Sequence, residues 1–254
     1  MTAKTKYWRP YSNLAAFVRF FIPDLSFRLK VGERSCLEAS IQKHLGLFRP
    51  SVLQRELSIA GRILACAPRD AVIYDLGANI GLYTLVFAQD ASTRVMSFEP
   101  SELALPFLRR NVALNGLGNI EIHPVLLSDH AGRCRFALDR VTTATSHVAE
   151  AGEPGIDLAC SDLDSYVESN RLAPPDVIKI DVEGHERQII AGMRGLIMRY
   201  RPTIFVEGGL REPDGKIGAA VDLMKHGYEI WNLDRTSLLP PDTPEYSFLA
   251  VRPR

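Results

Sequence analysis

The sequence predicts an α/β protein with a doubly wound, mostly parallel sheet of seven strands. Two observations lead to this prediction. From about Ala71 onward, short apolar runs alternate with segments that have helical spacing. The first of these runs ends in a glycine-containing turn, which is typical of the junction between a strand and a helix in Rossmann-like sheets.

The predicted elements follow one another as strand, helix, strand over most of the chain. This order favours a parallel sheet because each helix is long enough to carry the chain back to the start of a neighbouring strand. The predicted helices span residues 81–89, 103–114, 185–200 and 216–226. The predicted strands span residues 71–76, 94–98, 120–127, 176–180, 203–206, 228–233 and 246–252.

Two segments do not follow this alternation. Residues 132–159 indicate a hairpin-like insertion between the third and fourth strands. Residues 1–70 indicate a strand pair near 25–36 and helices around 40–47 and 51–64. We expect residues 1–70 to form an N-terminal cap over a ligand crevice or a structural buttress, and residues 71–254 to form the core.

Composition and charge disfavour several classes of protein. The 30 basic and 30 acidic residues cancel, so no nucleic-acid partner is expected. The apolar stretch 14–23 is too short to span a bilayer, is interrupted by Arg19, and lacks a signal cleavage site. Four of the histidines, at positions 44, 123, 130 and 226, show no metal-ligand spacing in the sequence. Four scattered cysteines predict reduced thiols in a cytoplasmic protein: Cys36, Cys66, Cys134 and Cys160.

The turn after the first strand runs from Asp75 to Gly81 and has the pattern D-x-G-x-x-x-G, with Gly77 and Asn79 inside it. A dinucleotide fingerprint needs two further glycines, but Asn79 and Leu82 occupy their positions. A phosphate-binding P-loop would need Gly-Lys-Ser/Thr, which is absent from this turn. The turn therefore indicates a nucleoside ligand without a pyrophosphate.

Carboxylates at the strand ends indicate which nucleoside this is. Asp75 suits a ligand with a cationic amine, as in the methionine part of S-adenosylmethionine, and Glu99-Pro100 ends the second strand where ribose hydroxyls are bound. Ser128 and Asp129 follow the third strand, where Asp129 could accept from the adenine amine. The alternative for Asp75 and Glu99 is a helix cap and a surface acid. The alternative for Ser128-Asp129 is simple turn chemistry.

The fourth and fifth strands also end in charged residues. Lys179 interrupts the fourth strand, Asp181 and Glu183 follow it, and Glu207 ends the fifth. Because the carboxyl ends of parallel strands face the ligand crevice, we expect these side chains to meet the second substrate.

The run Lys-Ile-Asp-Val-Glu-Gly at 179–184, with Asp-Leu-Asp at 162–164 before it and Arg-Pro…Val-Glu at 201–207 after it, closely resembles the FkbM family of methyltransferases. The glycine turn and Phe98-Glu99-Pro100 match the family's first two motifs, so that the resemblance covers roughly residues 71–207. It implies a class I methyltransferase fold, S-adenosylmethionine as cofactor, and methyl transfer to hydroxyls of sugars, polysaccharide units or polyketide-type natural products. His185 departs from the family, where a small residue is common.

Methylation of an alcohol needs a base or a metal ion that activates the hydroxyl. Asp181 and Glu207 could bind Mg²⁺, or His185 could serve as base, or residues 183–186 could merely cap the next helix. Lys179 could neutralise a buried carboxylate or act as a base if its pKa is lowered. Ser146, in the polar stretch 142–147 of the insertion, is a further candidate contact of the cofactor or acceptor.

The leading hypothesis is therefore an O-methyltransferase that acts on a saccharide or small-molecule acceptor. Two alternatives remain open. One is an N-methyltransferase of the same fold that acts on a protein or an RNA. The other is a non-catalytic cofactor-binding scaffold, which gains support only if Asp181 and Glu207 are buried away from the crevice.

Overall fold

The computed structural model describes residues 23–32, 34–139, 142–149, 152–209, 218–233, 235–239 and 246–253. The helices are α1 (Pro50–Leu64), α2 (Leu82–Phe87), α3 (Leu105–Asn115), α4 (Leu163–Asn170), α5 (Glu186–Ala191), α6 (Arg194–Tyr200) and α7 (Ala220–Met224). The strands are β1 (Ser26–Val31), β2 (Ser35–Ser40), β3 (Val72–Leu76), β4 (Arg94–Phe98), β5 (Ile120–His123), β6 (Leu126–Ser128), β7 (Gly132–Ala137), β8 (His147–Val148), β9 (Ile156–Asp162), β10 (Val177–Ile180), β11 (Thr203–Gly209), β12 (Tyr228–Trp231) and β13 (Tyr246–Pro253).

The main sheet has the strand order β12-β13-β11-β10-β3-β4-β5 among the described residues. Strand β13 runs antiparallel to both of its neighbours, and the other pairs are parallel. The central strands β3 and β10 are buried along their whole length, as expected for strands covered on both faces. The predicted Rossmann-like, mostly parallel sheet is thus confirmed.

The third predicted strand, 120–127, is wrong as a single element. The chain leaves the main sheet after β5 and enters a second sheet of order β6-β9-β7-β8. Pro124 stands between the two strands and has no N–H to donate to a ladder, which explains the break. The predicted hairpin is found in this second sheet, where β7 pairs antiparallel with both β8 and β9.

The predicted helix 185–200 is two helices, α5 and α6, that meet at Gly192. A Cβ at Gly192 would lie 2.1 Å from the Ser128 carbonyl oxygen. Only glycine therefore lets the chain approach β6 this closely. The Asp164 carboxylate accepts hydrogen bonds from Gly195 N at 2.6 Å and Leu196 N at 2.8 Å. This carboxylate caps the second helix from a distant part of the chain and stabilises the break.

Residues 23–70 form the β1–β2 hairpin and α1, which pack on the face of the sheet that carries α2. Two asparagines of α3 bind the backbone of β2. Asn111 accepts from Glu38 N at 2.6 Å, and Asn115 accepts from Cys36 N at 2.8 Å. The predicted helix near 40–47 is a short 3-10 turn at Leu45–Phe48. The division into a 1–70 extension and a 71–254 core stays a prediction, and residues 1–22 lie outside the described residues.

Within the described parts of the chain, no helix is both long enough and apolar enough to cross a membrane.

We expect Asn111→Ala to lower the free energy of unfolding by about 3 kcal/mol, because it leaves buried backbone groups without a hydrogen-bond partner. Asn111 is fully buried, and its Nδ2 also donates to the Ile80 carbonyl oxygen at 2.8 Å. Urea unfolding measures the change. Asn170→Ala is the matched control, since Asn170 is exposed and bonds only within its own helix turn; it should change stability by less than about 0.5 kcal/mol. Equal effects of the two substitutions would contradict this account of β2 docking.

Candidate active site

A crevice opens at the carboxyl ends of β3, β4 and β10, where a doubly wound sheet places its ligands. Its first wall is the glycine turn with Glu99-Pro100, and its second wall is the segment from Asp181 to His185. The insertion covers the crevice with Phe136, Thr143, Ser146 and Val148. None of the described residues of the 1–70 extension lines it.

The glycine turn fits tightly against the end of β10. Gly77 has φ of 78°, and a Cβ there would lie 1.9 Å from the Asp181 carbonyl oxygen. The position therefore requires glycine for both its conformation and its space. Asn79 also has a positive φ, of 49°, and together these residues turn the backbone amides toward the crevice wall formed by Glu99.

Glu99 joins this turn to the end of β4. Its Oε2 accepts from Asn79 N at 2.7 Å, and its Oε1 accepts from Ser101 N at 2.8 Å. The side chain is buried but lines the crevice. Burial raises the pKa of Glu99 to about 7, although the two backbone donors act in the opposite direction.

Asp75 lies behind the turn and does not line the crevice. It is fully buried, with Oδ1 3.0 Å from Lys179 Nζ and Oδ2 accepting from the Thr84 hydroxyl at 2.7 Å. Both oxygens thus have protein partners. The structure gives Asp75 the role of supporting the turn, whereas the sequence predicted direct contact with the cofactor amine.

Lys179 is the buried cation of the site. Its Nζ donates to the Gly77 carbonyl oxygen at 3.0 Å, lies 3.5 Å from Asp181 Oδ2 and sits over the Tyr83 ring. Burial alone would lower the pKa of Lys179, but Asp75 and Asp181 outweigh it and hold the pKa above its ordinary value. This direction favours the interpretation of Lys179 as the counterion of a buried carboxylate over its interpretation as a base.

The segment after β10 is a strained turn. Glu183 has φ of 55°, which is unfavourable for a residue with a side chain, and Gly184 follows with φ of 100°. Glu186 accepts from Gly184 N at 3.0 Å and so satisfies an amide of this turn. This bond stabilises the turn before the helix Glu186–Ala191, and the His185 side chain at the N-cap position makes no capping hydrogen bond.

His185 is buried and lines the crevice. Its Nε2 lies 3.0 Å from the Ser128 hydroxyl, which fixes the ring. Desolvation lowers the pKa of His185, so the imidazole is neutral at neutral pH and can accept a proton.

Three carboxylates meet at the rim. Asp181, Glu183 and Glu207 each offer an oxygen within 4.8 Å of the others. Asp181 is one quarter exposed and lines the crevice, as does Glu183. Glu207 is half-buried beside them and does not line it. The sequence correctly predicted that Asp181 and Glu207 would be neighbours.

The remaining predicted residues divide into two groups. Pro100 and Ser146 line the crevice, whereas Gly81, Ser128 and Asp129 do not. Asp129 pairs with His130 at 2.7 Å and is about half exposed. Ser128 is buried and contributes through its contact with His185.

The contact between the insertion and the glycine turn was not predicted from the sequence. The Thr143 hydroxyl donates to Asn79 Oδ1 at 2.7 Å. Phe136 and Val125 add apolar surface opposite Glu99. The Thr/Ser-rich composition of residues 142–147 was the available signal, but it does not say which hydroxyl faces the turn.

A family model described as the methyltransferase FkbM domain matches residues 75–230. The chain belongs to the FkbM methyltransferase family. The resemblance seen in the sequence motifs is thereby confirmed, and the matched region contains both walls of the crevice.

Two curated proteins are similar to this FkbM-family chain. The hexuronic acid methyltransferase AglP of Haloferax volcanii is 27% identical over 154 residues, which cover 61% of this chain and 63% of that protein. The 31-O-demethyl-FK506 methyltransferase FkbM of Streptomyces tacrolimicus is 23% identical and covers 63% of this chain and 73% of that protein. The chain thus spans just under two thirds of the length of AglP.

The fold is similar to that of the Pyrococcus horikoshii protein PH0793, with a TM-score of 0.51 and 13% identity. The similarity covers 97% of this chain and 83% of that one. At this identity it concerns the fold alone.

The raised pKa of Glu99 predicts that part of the folding stability is lost as pH rises. Its folded pKa of about 7 lies above the unfolded value of 4.5, so its contribution is complete below pH 4.5 and disappears by about pH 7. The difference in unfolding free energy between wild type and Glu99→Gln should fall by about 3 kcal/mol over this range. Denaturant unfolding at a series of pH values measures it. A difference that stays flat would mean that Glu99 has its ordinary pKa.

Proposed function

We propose that this protein transfers a methyl group from S-adenosylmethionine to a hydroxyl group of a sugar, a polysaccharide unit or a natural product. The observation that carries the proposal is that Glu99, Asp181 and His185 line the same crevice. Membership of the FkbM family supports methyl transfer. The names of the two curated relatives, which mention a hexuronic acid and a demethylated natural product, support such acceptors.

The residues of the first wall fit the cofactor. S-adenosylmethionine supplies, when bound, an electrophilic methyl group on a sulfonium. Glu99 lines the crevice with acceptor oxygens of the kind that bind ribose hydroxyls, and Gly77 and Asn79 of the glycine turn line it beside Glu99. Pro100 and Ser146 would flank it, with Asp75 fixing the turn from behind.

The residues of the second wall fit an acceptor alcohol. His185 is a neutral imidazole held by Ser128, which suits a group that takes up the hydroxyl proton. Asp181 lies beside the protonated Lys179 and suits a group that orients the hydroxyl by accepting a hydrogen bond. We therefore assign His185 as the base and Asp181 as the orienting carboxylate.

The alternatives receive less support. The scaffold hypothesis required Asp181 and Glu207 to be turned away from the crevice, but Asp181 lines it. The equal numbers of basic and acidic residues give no reason to favour an RNA acceptor. A Mg²⁺ ion held by Asp181 and Glu207 stays a prediction, and so does the cytoplasmic location.

Glu99→Ala should weaken S-adenosylmethionine binding about a hundredfold, because the ribose hydroxyls of the cofactor lose the carboxyl oxygens that accept their two hydrogen bonds. Isothermal titration calorimetry measures the dissociation constant. Glu102→Ala is the matched control, since Glu102 is an exposed glutamate three positions along the chain, and it should bind like the wild type. Unchanged binding by Glu99→Ala would sink the cofactor assignment.

His185→Asn should reduce kcat by about a hundredfold or more, since a positioned base contributes that much to proton transfer. In the wild type, activity should decline as pH falls through the lowered pKa of His185, because the imidazolium cannot accept a proton. This acid limb should vanish in His185→Asn. Initial rates with a panel of saccharide and natural-product hydroxyls measure both effects, with His226→Ala as a control outside the crevice.

Asp181→Asn should mainly raise KM for the acceptor if Asp181 orients the hydroxyl. Loss of all activity on exhaustive chelation, restored by Mg²⁺, would instead favour the metal mechanism over the histidine base.

A further inference from the structure

We propose that His130, Cys134 and Cys160 form a binding site for a thiophilic divalent cation, with Zn²⁺ as the best match, on the second sheet. Their Nε2 and two Sγ atoms, one ligand atom from each residue, lie within 4.8 Å of one another. Two thiolates and an imidazole are the donor set that Zn²⁺ prefers. The site does not depend on the proposed methyl transfer.

Strand pairing creates the cluster. Strands β7 and β9 are antiparallel, with Gly132 opposite Cys160 and Cys134 opposite Leu158. The two cysteines are therefore diagonal neighbours although they are 26 residues apart in sequence. Both are buried, and their sulfur atoms lie 2.9 Å apart. His130 stands in the turn that leads from β6 into β7 and faces the same pair.

The distances are close to those of a tetrahedral site. Bonds of about 2.3 Å to sulfur and about 2.0 Å to nitrogen give edges of roughly 3.6 Å between nitrogen and sulfur and roughly 3.8 Å between two sulfurs. The distance from His130 Nε2 to Cys160 Sγ is 3.8 Å. The two sulfurs must separate by a little under 1 Å, which a small rotation of either side chain provides.

The other ring nitrogen of His130 is already held. Its Nδ1 lies 2.7 Å from Asp129 Oδ1, and the hydrogen bond to His130 lowers the pKa of Asp129. A carboxylate on the far nitrogen is the arrangement that orients zinc-binding histidines and raises their basicity. His130 is more than half exposed, so a cation can enter from solvent and water can complete the coordination.

Metal binding at this site is coupled to proton release. Binding of a divalent cation replaces the two thiol protons, which are released to solvent, and leaves the cluster of metal and thiolates neutral. The site should therefore bind more tightly as pH rises.

Bound metal would fix the end of β6. Asp129 and His130 directly follow Ser128, whose hydroxyl holds the ring of His185 in the crevice. A cation at His130 would thus order the turn next to the crevice without touching it.

The test uses Co²⁺ as a spectroscopic probe on the reduced, full-length protein. We expect one equivalent to give visible d–d bands of tetrahedral intensity and a thiolate-to-metal charge-transfer band, both displaced by Zn²⁺. Cys134→Ser and Cys160→Ser should each reduce the intensity of the charge-transfer band by at least half. Asp129→Asn should weaken binding about tenfold to a hundredfold. The double variant Cys36→Ser/Cys66→Ser is the matched control and should retain the full spectrum.

His130→Ala tests the site with a variant that should keep its fold, because this exposed side chain can be removed without disturbing the core. It should lower the affinity for Co²⁺ and leave the thermal midpoint of the metal-free protein unchanged. The proposal is overturned if the control double variant loses the spectrum, if Co²⁺ binds with octahedral intensity and no thiolate band, or if mass spectrometry shows a Cys134–Cys160 disulfide in protein purified under reducing conditions.

Discussion

The site depends on one buried cation. Lys179 joins the end of β3 through Asp75, the glycine turn through the Gly77 carbonyl oxygen, and the acceptor wall through Asp181. Removing one partner of such a buried pair typically costs about 3–5 kcal/mol, because the remaining charge is left uncompensated. The ammonium therefore sets the distance between the two walls of the crevice, and neither wall can move without disturbing it.

This arrangement explains why charged residues occur in a strand that is otherwise apolar. β10 is buried on both faces, and a lysine there is tolerated only because Asp75 lies directly opposite it in the parallel register. The same pairing buries Asp75 behind the turn and leaves Glu99 as the one of these two acids that lines the crevice. The two acids are thus one strand apart and have different roles.

The sheet and most of the crevice could be predicted because they follow from periodicity and from the polar ends of buried strands. Three features could not. Pro124 sends the chain into a second sheet, but a proline within an apolar run also fits a strand edge. Asp164 caps a helix 30 residues further along, and no local pattern reveals such a partner. Cys134 and Cys160 meet only because β7 and β9 pair in one particular register.

The hydrogen bond from Thr143 to Asn79 places the insertion and the glycine turn in direct contact. A molecule that orders the insertion therefore also acts on the side chain of Asn79 in the glycine turn. Coupling between two binding sites is reciprocal. If one molecule raises the affinity for a second by some factor, the second raises the affinity for the first by that same factor. Under the proposed function, this contact links the insertion to the part of the crevice that the methyl donor would occupy.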